Sequence, residues 1–467
     1  MDTATRSPRR LADGRSLDDL IQRSTREVSL AVMNDPELYQ WELENLFGMG
    51  WNLLGHESEI PDANDYVVRP MGEDLVVVAR DRQGEIHVSL NVCPHRGMRV
   101  ALGEEGNTAV HKCIYHGWAF LPNGDFIGAP VEKEQMHGNI CAKAELGLKK
   151  ARVHLYGGLI FATWNHDGPS FEEHLGELKF YLDMLFNRTD NGLEVLGPPQ
   201  KVSIDCNWKC NGEQSGGDGF HTLTLHRWLI DSLFGGSDGG SEPADVAPAM
   251  YGINVSANGH NVRCIPMEMT FAIAREMQAD KMSLDERLAK LPPPGITQDL
   301  VPQLRKHLSE KQIELLVKAP PQVGGIFPNI QLVFVYAPQP DGEVLGGLGL
   351  HIIVPRGPER SEFWTWLFAE KDCSEEVKQK MLRSSIQQLG TSGLIEMDDS
   401  DVYPHVTLAS RGYKSRRDIT LKYQAILGEN KPDDWPGGGK VFAGFSKDDT
   451  QWEWWQAYYE AMAQVYD

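Results

Sequence analysis

Two cysteines and two histidines constrain this chain more than anything else in it. They read Cys93-Pro94-His95, then seventeen residues, then Cys113-x-x-His116. Each short loop supplies one thiolate and one imidazole. Such a set works only if two loop tips are held side by side, which a small antiparallel β-domain does by carrying ligands on hairpin tips. The flanking sequence fits this. Pro94 stiffens the first loop, and Gly97 and Gly117 let backbone pack close to whatever the four side chains hold.

Two Cys on one iron and two His on the other is the ligand set of a Rieske [2Fe–2S] centre. Structural zinc sites more often pair like with like, two close cysteines and then two close histidines. A mixed Cys-x-His first loop suits zinc poorly, so Cys93, His95, Cys113 and His116 are read as cluster ligands.

A second motif lies downstream. Asn207-Trp208-Lys209 is followed by Glu213-Gln214-Ser215-Gly216-Gly217-Asp218-Gly219-Phe220-His221, then His226. On one helix two histidines five apart are about 500° round the axis, somewhat off one stripe, so a slight distortion is expected to aim both at one metal. Two neutral imidazoles and a distant carboxylate make the facial triad of non-haem Fe(II) oxygenases, which leaves positions open for dioxygen. A lone His pair is as often an ordinary surface or core pair. Here the Rieske motif upstream favours a metal.

With both motifs in hand, the chain resembles the large (α) subunit of Rieske non-haem iron aromatic-ring-hydroxylating oxygenases, of the naphthalene and biphenyl dioxygenase kind. The resemblance runs from about Pro36 to the C-terminal helix. In that family the third iron ligand is a carboxylate in a G-x-x-E-x-D-D pattern, and this chain has Gly393-Leu394-Ile395-Glu396-Met397-Asp398-Asp399. The resemblance implies Asp399 as the ligand, with Asp398 and Asp401 the nearest competitors. Without it, the run reads as an ordinary acidic helix start. Asp218 matches the carboxylate that in such proteins bridges a mononuclear-iron His and a Rieske His of the next subunit. By position its partners are His221 and the next subunit's His116. A carboxylate between two imidazoles fixes their tautomers and shortens an electron path.

The resemblance also implies partners and chemistry. Electrons from NAD(P)H arrive through a separate reductase and usually a ferredoxin. The chain shows no G-x-G-x-x-G fingerprint of its own after a strand. Dioxygen is the co-substrate, both its atoms enter one face of an aromatic ring, and the product is a cis-dihydrodiol. Assembly is expected as α₃β₃ with a small β subunit, or as α₃. Gln214 stands where the family commonly has Asn, and Ser215 where it has an aromatic. Leu389 and Ile395 replace bulky aromatics that often line the pocket. These changes predict a wider or reshaped cavity. Arg227 after the second histidine would suit an aryl carboxylate, although an Arg there usually faces solvent. A polycyclic hydrocarbon and an aryl carboxylate both remain open. The same ligands also serve Rieske monooxygenases and O-demethylases. A pure Rieske electron carrier would need neither Asp218, His221 and His226 nor a long second domain.

Composition narrows the class. At 467 residues two domains are expected. With 45 basic against 66 acidic residues, net −21, neither nucleic acid nor an anionic membrane surface is an expected partner. Acidity would help dock a basic electron donor, although a solvated acidic surface explains it equally well. Beyond Cys93 and Cys113, five scattered cysteines remain (Cys141, Cys206, Cys210, Cys264 and Cys373), an odd number that suits reduced thiols in a cytoplasm. Arg6, Arg9 and Arg10 precede no apolar stretch, so no secretory signal is expected, and no long apolar run spans a membrane.

The expected architecture is α+β: a small antiparallel β Rieske domain and a larger catalytic domain of antiparallel sheet covered by helices. The boundaries are read as 1–49, a segment packing on the catalytic domain, 50–168 for the Rieske domain, and 169–467 for the catalytic domain. Residues 1–16 look disordered, and Pro36–Leu46 looks helical. Short β-branched runs at Tyr66–Val68, Leu75–Val78 and Ile86–Leu90 predict strands, and Gly157–Ala162 a last one. In the catalytic domain helix is expected over Phe171–Leu185, 284–318 and Glu375–Leu389, and strand over Leu332–Val335, Leu350–Val354 and Glu362–Phe368. The Gly235–Gly240 loop is read as a lid or a linker. Trp452, Trp455, Tyr459, Met462 and Tyr466 fall at helical spacing and predict a packed face.

Overall fold

The computed structural model describes residues 9–130, 133, 141–226, 252–270, 272–293, 295–338, 344–390, 393, 395–444 and 446–464. Its two compact units are Leu43–Phe171, and Met1–Glu42 together with Glu172–Asp467.

The smaller unit is three antiparallel sheets. In chain order its strands are β1 (Asn52–His56), β2 (Asp65–Met71), β3 (Asp74–Arg80), β4 (Ile86–Leu90), β5 (Glu105–Asn107), β6 (His111–Lys112), β7 (Ala119–Phe120), β8 (Phe126–Gly128), β9 (Arg152–Tyr156) and β10 (Leu159–Thr163). The sheets run β4-β3-β2-β5, β9-β10-β1 and β8-β7-β6. Alternation along β3 explains its place at the centre. Val76 and Val78 join a core with Leu54, Val67, Val88 and Ile160, while Val77 and Ala79 pack against Ala101 on the other face. A separate core holds Cys93 and Cys113 with Val100, Trp118, Phe120, Phe126 and Leu148. The cluster loops therefore rest on their own apolar base.

The larger unit is built on a nine-stranded antiparallel sheet. Its strands are β11 (Leu193–Val195), β12 (Gln200–Ile204), β13 (Ile253–Ala257), β14 (His260–Cys264), β15 (Pro321–Ile326), β16 (Ile330–Pro338), β17 (Val344–Pro355), β18 (Ser361–Glu370) and β19 (Lys440–Ala443). The order is β11-β18-β17-β16-β15-β14-β13-β19, with β12 also paired to β18. The helices that matter for the site are α1 (Pro36–Glu42), α2 (Lys179–Phe186), α3 (Trp208–Gln214), α4 (Glu375–Leu389), α5 (Glu396–Ala409) and α6 (Asp449–Ala463). A buried polar knot ties three of them together. Glu42 of α1 accepts hydrogen bonds from Trp208 Nε1 (2.7 Å) and Lys209 Nζ (2.5 Å) of α3 and from Tyr458 OH (2.5 Å) of α6. All four side chains are essentially inaccessible.

Several expectations differ in detail. From Arg9 onwards the N-terminus is not disordered. Arg10 bridges Ser16, Leu11 is buried, and Ala12 N–H donates to Glu37 at 2.7 Å, so local burial and a carboxylate acceptor hold it. Residues 1–8 lie outside the described residues. The helix expected at Phe171–Leu185 is broken, as Phe171–Leu175, a 3₁₀ turn Gly176–Leu178, then α2. On α6 the buried face is wider than the expected stripe. It includes Trp454 and Tyr458 as well as Trp452, Trp455 and Met462, while Tyr459 is half-buried and donates to Asp18 at 2.6 Å. Tyr466 lies outside the described residues, as do Arg227 and Gly235–Gly240.

Candidate metal centres

The two cluster loops are near-copies of each other. Cys93 N–H donates to Met98 O and Cys113 N–H to Trp118 O, each at 2.8 Å. Gly97 N–H returns to Cys93 O and Gly117 N–H to Cys113 O, each at 2.9 Å. Both glycines have φ near +75°, +76° and +74°, a conformation that L side chains rarely adopt. The thiols are buried, and the imidazoles of His95 and His116 are half-buried at the rim, their ring centroids 4.5 Å apart. Trp118 stacks on His95 at 4.9 Å and 5°. Burial pushes the Cys93 thiol up to about 11, and the Cys113 sulfur adds to the effect, although backbone N–H groups of His95 and Arg96 oppose it. A thiolate pair in such a place needs adjacent positive charge, which iron supplies. Two sulfurs inside and two imidazoles outside fit a cluster with one Cys-bound and one His-bound iron.

In the larger unit His221, His226 and Asp399 bring one donor atom each within 4.8 Å of one another. His226 Nε2 lies 3.3 Å from Asp399 Oδ2, and His221 Nε2 3.9 Å from Asp399 Oδ1. The chain does not reach this arrangement with one distorted helix. α3 ends at Gln214, and His221–Leu223 is a short 3₁₀ turn followed by a further turn to His226. Unwinding removes the angular mismatch of a five-residue spacing. Asp218 supports the turn, since its Oδ1 accepts Phe220 N–H (2.9 Å) and His221 N–H (3.3 Å). α3 itself starts from Asn207, whose side chain accepts Lys209 N–H at 3.0 Å.

Carboxylates stand behind both imidazoles. Asp218 Oδ2 is 3.4 Å from His221 Nδ1, and Asp398 Oδ2 is 3.3 Å from His226 Nδ1. Each favours a proton on Nδ1 and leaves the Nε2 lone pair for a metal, the usual way an outer carboxylate orients a ligand. Burial would lower the His226 pKa, but Asp399 and Asp398 outweigh it and the net shift is upward. Burial likewise opposes ionisation of Asp218. His221, backbone N–H and the buried Arg263 overcome it, so Asp218 titrates below its ordinary value. Asp401 is exposed.

Gln214, the last residue of α3, reaches into the same space. Its Nε2 is 3.0 Å from His221 Nε2 and donates to Asp399 Oδ1 at 3.2 Å. A cavity of about 390 Å³ opens beside the triad, lined among others by Gln214, Asp218, His221, Asp399 and Tyr403 with apolar Met33, Phe220 and Val402. Ser215, Leu389 and Ile395 do not line it. Ser215 Oγ donates back to Gly212 O at 2.5 Å. Leu389 packs with Val333 and Leu367, and Ile395 borders that cluster. Sequence reasoning weighed Asp398 only as a rival ligand, and it gave Glu213 no role. Glu213 accepts bonds from Tyr423, Gln451 and Trp455, and burial pushes its carboxyl up to about 8. A carboxylate directly beside a ligand is the only sequence signal for Asp398. Nothing in the sequence marks Tyr423 or Gln451.

A cluster site in one unit and a two-histidine, one-carboxylate site in the other fit an oxygenase with two metal centres. Comparison with known proteins agrees. Residues 50–149 match the Rieske [2Fe-2S] domain family. Biphenyl 2,3-dioxygenase subunit alpha of Rhodococcus jostii (strain RHA1) is 31% identical over 437 residues, 90% of this chain and 86% of that protein. N,N-dimethyl phenylurea N-demethylase subunit alpha of Sphingobium sp. (strain YBL2) is 29% identical over 426 residues, 88% of each. The crystal structure of naphthalene 1,2-dioxygenase from Rhodococcus sp. bound to indole superposes with a TM-score of 0.80 at 30% identity, over 96% of each chain. This chain belongs to the Rieske non-haem iron oxygenases, in the family of aromatic-ring-hydroxylating dioxygenase α subunits. Its cofactors are a [2Fe–2S] cluster and a mononuclear iron. No helix among the described residues is long and apolar enough to cross a membrane.

Proposed function

We propose that this chain is the terminal oxygenase subunit of a multicomponent enzyme that cis-dihydroxylates an aromatic ring. The observation that carries the reading is the convergence of His221, His226 and Asp399 next to Asp218, in a chain that also has a Rieske domain. Cys93, His95, Cys113 and His116 hold the cluster. His221, His226 and Asp399 hold the iron by one face. When bound, the two groups supply electron transfer and dioxygen activation. The protein's own part is positional. Asp218 and Asp398 hold both imidazoles so that Nε2 is free to bind a metal, and Gln214 meets the reacting space with an amide.

Asp218 serves as the bridge to His116 of a neighbouring copy, in an α₃β₃ or α₃ assembly in the cytoplasm, with a ferredoxin or reductase as donor. Exposed Ile114 and Tyr115 beside His116 support contact at that edge of the Rieske unit. Turnover with ¹⁸O₂ over naphthalene, biphenyl and aryl carboxylates tests the reading. A cis-dihydrodiol with both oxygens labelled is expected. A second reading, oxidative demethylation, is favoured by the likeness to the phenylurea N-demethylase. Formaldehyde release with a single labelled oxygen would establish that one instead.

A further inference from the structure

The cavity beside the triad has unlike linings. Met33, Phe220 and Leu225 are apolar, whereas Glu213, Asp218, Asp399 and Asp448 bring four carboxyl groups to the same space. The lining reaches the surface at the exposed Val402 and Lys422. Three of the four carboxyls are already engaged. Asp399 is a proposed iron ligand. Asp218 stands behind His221, with the buried Arg263 acting on it as well. Asp448 is tied to the backbone, where it accepts the Ala425 N–H at 2.7 Å.

Glu213 is held differently. Its Oε2 accepts from Tyr423 OH at 2.8 Å, Gln451 Nε2 at 3.1 Å and Trp455 Nε1 at 3.3 Å. All three donors are neutral, and among the described residues no Lys, Arg or His pairs with this carboxyl. Oε2 is saturated, so Oε1 is the oxygen left to the cavity that Glu213 lines. A carboxyl anchored through one oxygen, with no cation to fix its charge, can release and regain a proton at the other without moving. Oxygenation needs such a group. Ring dihydroxylation takes up two electrons and two protons with each O₂, and so does demethylation, which releases formaldehyde and water. The three proposed ligands must be unprotonated at the atoms that meet a metal.

We propose that Glu213 is the proton relay of the oxygenation site, passing solvent protons through cavity water to the reacting oxygen. The proposal rests on the oxygenase reading in either of its forms. The Glu213 carboxyl gives its Oε1 proton to a water as that water gives one to the reacting oxygen. The carboxylate then takes a proton back from solvent on the Lys422 side. Two such rounds supply both protons, and the electrons are those the oxygenase already receives. A cavity of about 390 Å³ with several polar groups in its lining has room for the water. The group also titrates in a useful range. Burial pushes Glu213 up to about 8, with the charges of Asp218 and Cys210 adding and the Tyr423 and Trp455 hydrogen bonds opposing. It is mostly protonated at neutral pH and loses its proton as pH rises through about 8. The titratable groups around it are Cys210 on its own helix, Asp218 in the turn that follows, Tyr423, and Asp448 at the start of α6. Gln451 and Trp455 of α6 carry no charge.

The test uses the holoenzyme with its electron-transfer partners, together with Glu213→Gln, which keeps the shape and removes the proton, and Glu213→Asp, which keeps a carboxyl. Iron content and the Rieske spectrum should match the wild type in both. Glu213→Gln should lower kcat by about 100-fold, and Glu213→Asp by less. Wild-type turnover should fall as pH rises through about 8, and Glu213→Gln should lack that limb. Added formic acid or imidazolium should restore Glu213→Gln by about tenfold, because a small acid replaces a proton donor and not a packing contact. Infrared difference spectra of the resting enzyme read the group without turnover. They should show the carbonyl stretch of a protonated carboxyl that vanishes as pH rises through about 8 and is missing in Glu213→Gln. Full turnover in Glu213→Gln, an unchanged pH limb, no response to added acid, or loss of iron in that variant overturns the proposal. Absence of the titrating band in the wild type overturns it whether or not either variant folds. Formaldehyde in place of a dihydrodiol counts against ring oxygenation and leaves the relay standing.

Discussion

The two metal centres are assembled in opposite ways. The proposed cluster ligands come from two short loops of one small unit, each closed by its own backbone hydrogen bonds and set on a shared apolar base. The proposed iron ligands come from a 3₁₀ turn after α3 and from α5, and Gln214 and Asp399, 185 residues apart in sequence, meet through a hydrogen bond. The first site is a property of loops. The second is a property of a packed core, held by the knot of Glu42, Trp208, Lys209 and Tyr458 and by carboxylates behind each imidazole. A local site should tolerate damage elsewhere, and a site built over long range should not.

The largest expected effect separates the two sites completely. His221→Ala, His226→Ala or Asp399→Ala should remove the mononuclear iron and reduce turnover to background, while the Rieske EPR and visible spectra stay. Cys93→Ala should do the reverse and abolish those spectra. Loss of the cluster spectrum in the histidine variants would show that the centres are not independent. If Asp398→Ala abolished iron binding and Asp399→Ala did not, the ligand assignment would be reversed.

Next comes the core. Glu42→Ala leaves the Lys209 ammonium buried without its carboxylate, which should cost about 3–5 kcal/mol of stability. Denaturant melts followed at the two chromophores are the measurement, and iron should be lost before the cluster. Coincident loss would remove the distinction between a local and an assembled site.

Asp218→Asn keeps the side chain's shape and removes its charge. Metal content should be normal and the cluster reducible, with product formation slowed about 100-fold. Full activity in this variant, or an active monomer in sedimentation, would refute a bridge between copies. Asp398→Asn should be milder, weakening iron binding by about tenfold through a less well oriented His226, read by chelator competition. The smallest effect is expected at the start of α3. Asn207→Ala removes a cap and should cost about 1 kcal/mol, visible in the melt and scarcely in turnover.

What could be read from the chain before folding followed how local each feature is. Strands β2, β3 and β4 and helix α4 lie where alternation and periodicity put them, because those signals span only a few residues. The Cys-His loops were legible for the same reason. The triad was legible only in halves. His221 and His226 carried a spacing, but Asp399 came from resemblance, since an acidic run at a helix start is common without a metal. The spacing itself misled about local structure, because a regular helix was assumed where the backbone unwinds. Order at Arg9–Ser16 was invisible too, since it depends on Glu37 and on burial of Leu11.

The sequence by itself determined the cofactor chemistry. Ligand type and spacing are written in single residues, and no packing can turn two thiolates and two imidazoles into another set. Tertiary structure alone decided which carboxylates stand behind which imidazole. It also decided that Asp401 stays exposed while Asp399 is buried beside His226, and that Glu396 lies 3.7 Å from His351 Nε2. These are contacts between elements far apart in the chain, set by β-sheet register and by how α4 and α5 lie on it. No local propensity encodes them.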